Sequence, residues 1–179
     1  AENATDEKAK ARYCFLLANV FYRQKEYERA AALYRQGSGF DPDFAAQYVG
    51  LGGVLRRLEQ PEEAARSYRI AASLHSTDAQ LYHDIGKALV ELGDLSTARD
   101  SFERAIELDA NSSARFHLGL VYLVQGQTEA ADSAYVIGVA RFGAEEARRT
   151  GAVRDLEDLV RRDVQAAAAR SILEKYWSE

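Results

Sequence analysis

The sequence predicts an all-α fold assembled from stacked pairs of helices, and three observations carry that reading. Residue classes recur at steps of 34, 34 and 33 along most of the 179 residues. The composition favours helix, with 31 Ala and only two Pro. Each copy of the recurrence splits into two stretches of helical apolar periodicity joined by a short turn. The same composition, 28% charged, argues against disorder, collagen and a β-sandwich, and no apolar run is long enough for a transmembrane helix.

In chain order, the polar opening AENATDEKAK (residues 1–10) frays or extends the first helix. Small residues then stand at Ala18, Gly52, Gly86 and Gly119. Each is preceded by Leu17, Leu51, Ile85 or Leu118 and followed three places later by Phe21, Leu55, Leu89 or Tyr122. A second series holds Ala30, Ala64, Ala98 and Ala131, then Tyr34, Tyr68, Phe102 and Tyr135, then Gly37, Ala71, Ala105 and Gly138. Asp41-Pro42-Asp43 ends the first copy, because Pro42 disfavours helical geometry at Asp41. Gln60-Pro61 divides the second copy, with Pro at an early helix position. In the third copy, Ala79 to Leu92 and Leu95 to Leu108 flank Gly93-Asp94; in the fourth, Gly126 supplies the break. The one missing residue falls at the turn near Asp109 to Ser113. Glycines in register inside helices, each costing about 1 kcal/mol against Ala, predict close helix approach with the aromatic series filling the space beside it.

This pattern resembles the tetratricopeptide repeat (TPR) family, in its bacterial form. The likeness rests on Leu17-Ala18, Leu51-Gly52, Ile85-Gly86 and Leu118-Gly119, on Gly93 and Gly126 at the turns, and on the Ala, aromatic and small-residue series. It covers residues 11–144. The sequence departs from the family at Cys14, Tyr48, Tyr82 and Arg115, where Trp is usual, and only the first copy ends in the usual Pro. The resemblance implies a right-handed α-α superhelix, a TPR solenoid, with repeats at 11–44, 45–78, 79–111 and 112–144 and C-terminal capping helices. Residues 145–179 form either a degenerate fifth pair breaking near Arg161 to Asp163, or one capping helix. Val153, Leu156, Val160, Val164, Ala167 and Ser171 make its apolar stripe, flanked by Leu159 and Ile172.

The family's concave side is lined by the first helix of each pair. Carried onto this chain, the candidate partner-binding groove holds Arg12, Phe15, Asn19, Tyr22 and Arg23, then Arg56 and Arg57, then His83 and Lys87, then His117. The arginines of the first two copies predict a protein or peptide ligand with an acidic segment. The fourth copy offers an apolar strip, Phe116, Leu120, Leu123 and Val124, which is either a docking patch or the seat of the C-terminal helices. One subclass of the family grips the C-terminal carboxylate of chaperone tails with a Lys/Asn/Asn/Lys/Arg set. Only Asn19 matches it; Phe15, Gly50, Gln80 and Asp84 hold the other positions, which argues against that mode.

Enzymatic chemistry has no foothold in the sequence. His75, His83 and His117 lack the one-turn spacing of helical metal ligands, so no metal or cofactor is expected. Gly37-Ser38-Gly39 follows no strand and precedes no Gly-Lys-Ser/Thr. Cys14, the only Cys, reads as a small buried hydrophobe. A net charge of −5 speaks against nucleic acid as a partner. The 18 Arg against five Lys point to a GC-rich genome, and the absence of Met to a processed chain or one excised from something longer. The expected protein is thus a soluble, non-enzymatic interaction module, cytoplasmic or periplasmic in a bacterium. The alternatives are self-assembly through the apolar repeat end and a regulatory arm of a longer protein.

Overall fold

The computed structural model describes residues 2–74, 76–109 and 113–177, with side chains from residue 5 onward. Among these the chain forms eleven α-helices and no strand: α1 (Glu2–Arg23), α2 (Tyr27–Phe40), α3 (Ala45–Arg57), α4 (Pro61–Ser73), α5 (Ala79–Glu91), α6 (Leu95–Leu108), α7 (Ala114–Val124), α8 (Thr128–Phe142), α9 (Ala144–Thr150), α10 (Ala152–Arg161) and α11 (Ala166–Trp177). The fold is therefore all-α, built of sequential packed pairs. Of the turn expected near Asp109 to Ser113, residues 110–112 lie outside the described residues, as does His75. None of the described helices is long and apolar enough to cross a membrane.

Two compact units divide the chain. One comprises α1 to α4 together with Glu91–Thr97; the other comprises Asp78–Val90 and the chain from Ala98 onward. In the first unit, α1 packs on α2, α2 on α3 and α3 on α4. Arg56 on α3 pairs with Glu91, and Arg69 on α4 with Asp94 at 2.6 Å, so two ion pairs hold the turn after α5. In the second unit, α7 packs on α8, and α10 on α11.

The repeating small and aromatic residues form the core of each unit. Ala30, Ala64, Ala98 and Ala131 are fully buried, as are the rings of Tyr34, Tyr68, Phe102 and Tyr135 to within a few per cent. A Cβ on Gly52 would stand 2.8 Å from the Tyr68 ring, on Gly86 2.6 Å from Phe102 and on Gly119 2.8 Å from Tyr135. What comes close to each glycine is thus the partner helix's ring itself. The first repeat differs: Ala18 carries the methyl, and the Tyr34 ring lies against Gly50 of α3 instead.

The four hairpin turns share one backbone device. Gly93 and Gly126 have φ of 79° and 77°, and the equivalent positions Lys25 and Glu59 adopt φ of 63° and 58°. Left-handed geometry therefore closes every hairpin, although only two of the four turns carry the residue suited to it. Asp41 is extended at φ −137°, as Pro42 after it requires.

The C-terminal segment holds separate helices, with a break at 162–165 that includes positive φ at Asp163 and Gln165. That break rotates the buried face. Ala152, Leu156, Leu159, Ala166, Ala169 and Ile172 are buried, while Ala167 and Ser171, part of the single stripe expected from the sequence, are exposed. A stripe continuous along one helix loses its phase across a turn. Leu156, Leu159 and Ile172 pack in one cluster with Phe116, Leu123 and Tyr135, with Leu120 and Val124 against it. The apolar strip of the fourth repeat is therefore covered by α10 and α11. The last turn of α11 is tied to earlier helices: Lys175 pairs with Asp132 at 2.7 Å, and the Trp177 indole N–H donates to the Ala144 carbonyl at 3.1 Å.

Candidate partner-binding surface

In the first unit, α1 sets Phe15, Asn19 and Tyr22 at helical spacing on one face, and the last turn of α3 carries Arg56 and Arg57. Phe15 is half-buried, its ring 5.2 Å from Phe44 and 6.0 Å from Tyr34. Asn19 is engaged from below: the Tyr34 hydroxyl donates to its Oδ1 at 2.7 Å. Burial pushes the Tyr34 phenol up to about 12, so this donor keeps its proton at neutral pH. Tyr22 packs its ring 5.7 Å from Tyr27. The Tyr22 hydroxyl also accepts from Arg57, and the tyrosines beside that guanidinium raise its pKa further.

The cations differ in how free they are. Arg56 is paired with Glu91, both partners largely in solvent. Arg12 and Arg23 are exposed and make no ion pair among the described residues. The unit therefore offers half-buried rings bordered by arginines of α1 and α3, a surface able to hold apolar side chains and carboxylates together.

The second unit places its predicted residues differently. His83 and His117 are buried, at 9% and 8% exposure. The Gln80 side-chain amide lies 3.3 Å from His83 Nδ1, and His83 Nε2 lies 3.2 Å from His117 Nδ1, so a chain of two neutral imidazoles runs from α5 to α7. The His117 ring stacks on Phe102 at 5.5 Å. Burial, with the repulsion that a second protonated imidazole at His83 and the Lys87 ammonium would exert, pulls His117 down to about 4. Burial and Lys87 also lower His83, against the opposing pull of Asp84. Both rings spend their hydrogen bonds inside the unit; Lys87 is exposed. Among the described residues, no group of three or more His, Cys, Asp or Glu is placed to hold a metal ion. Cys14 is buried, and burial raises its thiol pKa.

A sequence model of the tetratricopeptide repeat matches residues 2–43, 15–79 and 83–137, which together make up well over half of the chain. The chain belongs to the tetratricopeptide repeat family. Among curated relatives, the TPR chain is similar to the human protein O-mannosyl-transferase TMTC3, 29% identical over 116 residues. These make up 63% of this chain and 13% of that protein, so the match spans about an eighth of the relative's length. Two solved TPR structures share the fold. The TPR protein YrrB, described as having an unusual peptide-binding site, has a TM-score of 0.66 at 24% identity, covering 91% of this chain and 82% of that one. The first TPR domain of Spaghetti (RPAP3), solved with the HSP90 peptide SRMEEVD, has a TM-score of 0.57 at 23% identity, covering 66% and 98%.

Three features of this TPR chain lie outside the sequence reading. The left-handed turns at Lys25 and Glu59 escape it because neither residue signals such geometry. The pairing of Arg56 with Glu91 joins residues 35 apart, with no pattern to mark it. The exposed side chains Tyr13, Leu16 and Val20 are marked by their spacing, yet they resemble an ordinary core stripe.

Proposed function

We propose that this TPR chain is a non-catalytic protein-interaction module that holds a peptide or helix of a partner on the face shared by α1 and α3. One observation carries the reading: half-buried Phe15 and Tyr22 share α1 with the exposed Arg12 and Arg23, and Tyr22 is hydrogen-bonded to Arg57, which follows Arg56 at the end of α3. Rings already held by intrachain contacts lose little freedom on binding, so the face is preorganised for an extended or helical ligand. The arginine border favours a ligand with carboxylates. The solved complex of a TPR domain with the acidic peptide SRMEEVD supports this chemistry. The gripping mode must differ from the Lys/Asn/Asn/Lys/Arg set, because Phe15, Gly50, Gln80 and Asp84 supply none of its other donors in kind.

The test is the double charge reversal Arg56→Glu with Arg57→Glu, titrated with fluorescent acidic peptides. Binding should weaken at least about tenfold with helicity and melting unchanged, since an exposed ion pair such as Arg56–Glu91 contributes only about 0–1 kcal/mol. Affinity that survives the reversal at physiological salt overturns the assignment. The self-assembly alternative through the C-terminal stripe is not favoured, because Leu156, Leu159 and Ile172 are consumed within their own unit.

A further inference from the structure

A second seat lies on another face of α1. Tyr13, Leu16 and Val20 follow one another at helical spacing and stand 67%, 64% and 48% exposed, the most exposed large apolar side chains among the described residues. The repeat supplies their counterparts. One step along, the same positions are Gln47, Gly50 and Val54 on α3; three steps along, they are Ala114, His117 and Val121 on α7. There the face is covered by the second helix of the preceding hairpin. Gln47 occupies the space where a Cβ on Gly37 would stand, the Tyr34 ring lies against Gly50, and the Phe102 ring stacks on His117. Val54 and Val121 are fully buried. On α1 no described residue covers the same face, so an interface already built within the array continues onto it.

We propose that this face docks an amphipathic helix of another polypeptide, seated on α1 as α2 is seated on α3. Such a helix presents a small residue over Tyr13, an aromatic ring over Leu16 and a carboxylate at its C-terminal end. The carboxylate follows from charge and direction. A helix antiparallel to α1 brings its C-terminus beside Lys8 and Arg12, which are exposed, border an open groove with Ala9, Tyr13 and Leu16, and make no ion pair among the described residues. The negative end of the helix dipole belongs there. So does the acid that follows α2 and α6, Asp41 and Asp109. A second copy of α1 is the poorer occupant: parallel pairing sets Lys8 and Arg12 against themselves, and antiparallel pairing sets Lys8 near Arg23. This seat is distinct from the α1/α3 face, with only Arg12 at the border of both.

The experiment titrates the full chain, isotope-labelled, with a helix-stabilised peptide of residues 27–43, which carries Tyr34, Gly37, Asp41 and Asp43. Tyr13, Leu16 and Val20 resonances should shift. Leu16→Glu should weaken binding at least about tenfold while circular dichroism, melting and acidic-peptide binding at the α1/α3 face stay unchanged. Lys8→Glu should weaken it several-fold at low salt. Undiminished binding to the Leu16→Glu chain overturns the proposal, as does no binding at about 1 mM peptide. Concentration-dependent self-association abolished by Leu16→Glu overturns the occupant in favour of a second copy.

Discussion

Gly86 has no methyl because the Phe102 ring stands 2.6 Å from where one would go, and Gly119 is set in the same way against Tyr135. Adding that methyl forces a fully buried ring to move. Gly86→Ala or Gly119→Ala should lower stability by about 1–3 kcal/mol in urea unfolding, the usual penalty for overpacking. The helix-propensity gain of Ala over Gly, about 1 kcal/mol, offsets only part of this strain. The reverse holds at Glu59, a non-glycine residue at φ 58° in an exposed turn. Glu59→Gly should stabilise the chain by roughly 0.5–1 kcal/mol, because relief of left-handed strain exceeds the added freedom of the unfolded chain. A lower urea midpoint for Glu59→Gly would show the turn to be unstrained.

At the scale of elements, α5 and α7 meet through two neutral imidazoles, and that junction responds to acid. Both folded-state pKa values lie below the ordinary 6.5, so between about 6.5 and 4 the unfolded chain binds more protons than the folded one. The contribution is complete above 6.5 and is lost as pH falls toward the folded value. For His117 it is on the order of 2–4 kcal/mol by the acid end. The wild-type urea midpoint should therefore fall more steeply than that of His117→Gln between pH 7 and 4.5; parallel curves would remove the histidine from the account. The helices α10 and α11 contribute by burial, and Leu156→Ala should cost about 2–5 kcal/mol through the cavity it leaves. The hairpins themselves were legible in the sequence, since a small residue and a ring at constant spacing record one packing event repeated. The face of α10 and α11 was not, because two left-handed residues at 163 and 165 shift the helical phase where composition gives no warning. Within the candidate groove, exposure separates Arg12, Arg23 and Lys87 from His83 and His117. A histidine in the first helix of a pair reads the same whether it faces solvent or its neighbour's ring.

For the molecule as a whole, two compact units imply that damage stays local. Native-state hydrogen exchange on Leu156→Ala should show faster exchange in α7 to α11 and near-wild-type protection in α1 to α4. A uniform loss across all described helices would mean a single cooperative block. With a net charge of −5 overall and Arg12, Arg23, Arg56 and Arg57 on α1 and α3, the proposed binding of an acidic partner should weaken with salt, through local rather than overall charge. The rings seated on missing methyls have a wider consequence. Three of the four hairpins are indexed by a notch of their own, and the first by one on its neighbour, so alignment does not depend on the residues that look outward. Those residues are free to diverge, and each unit can be retuned on its outer faces by exchanging a handful of surface side chains.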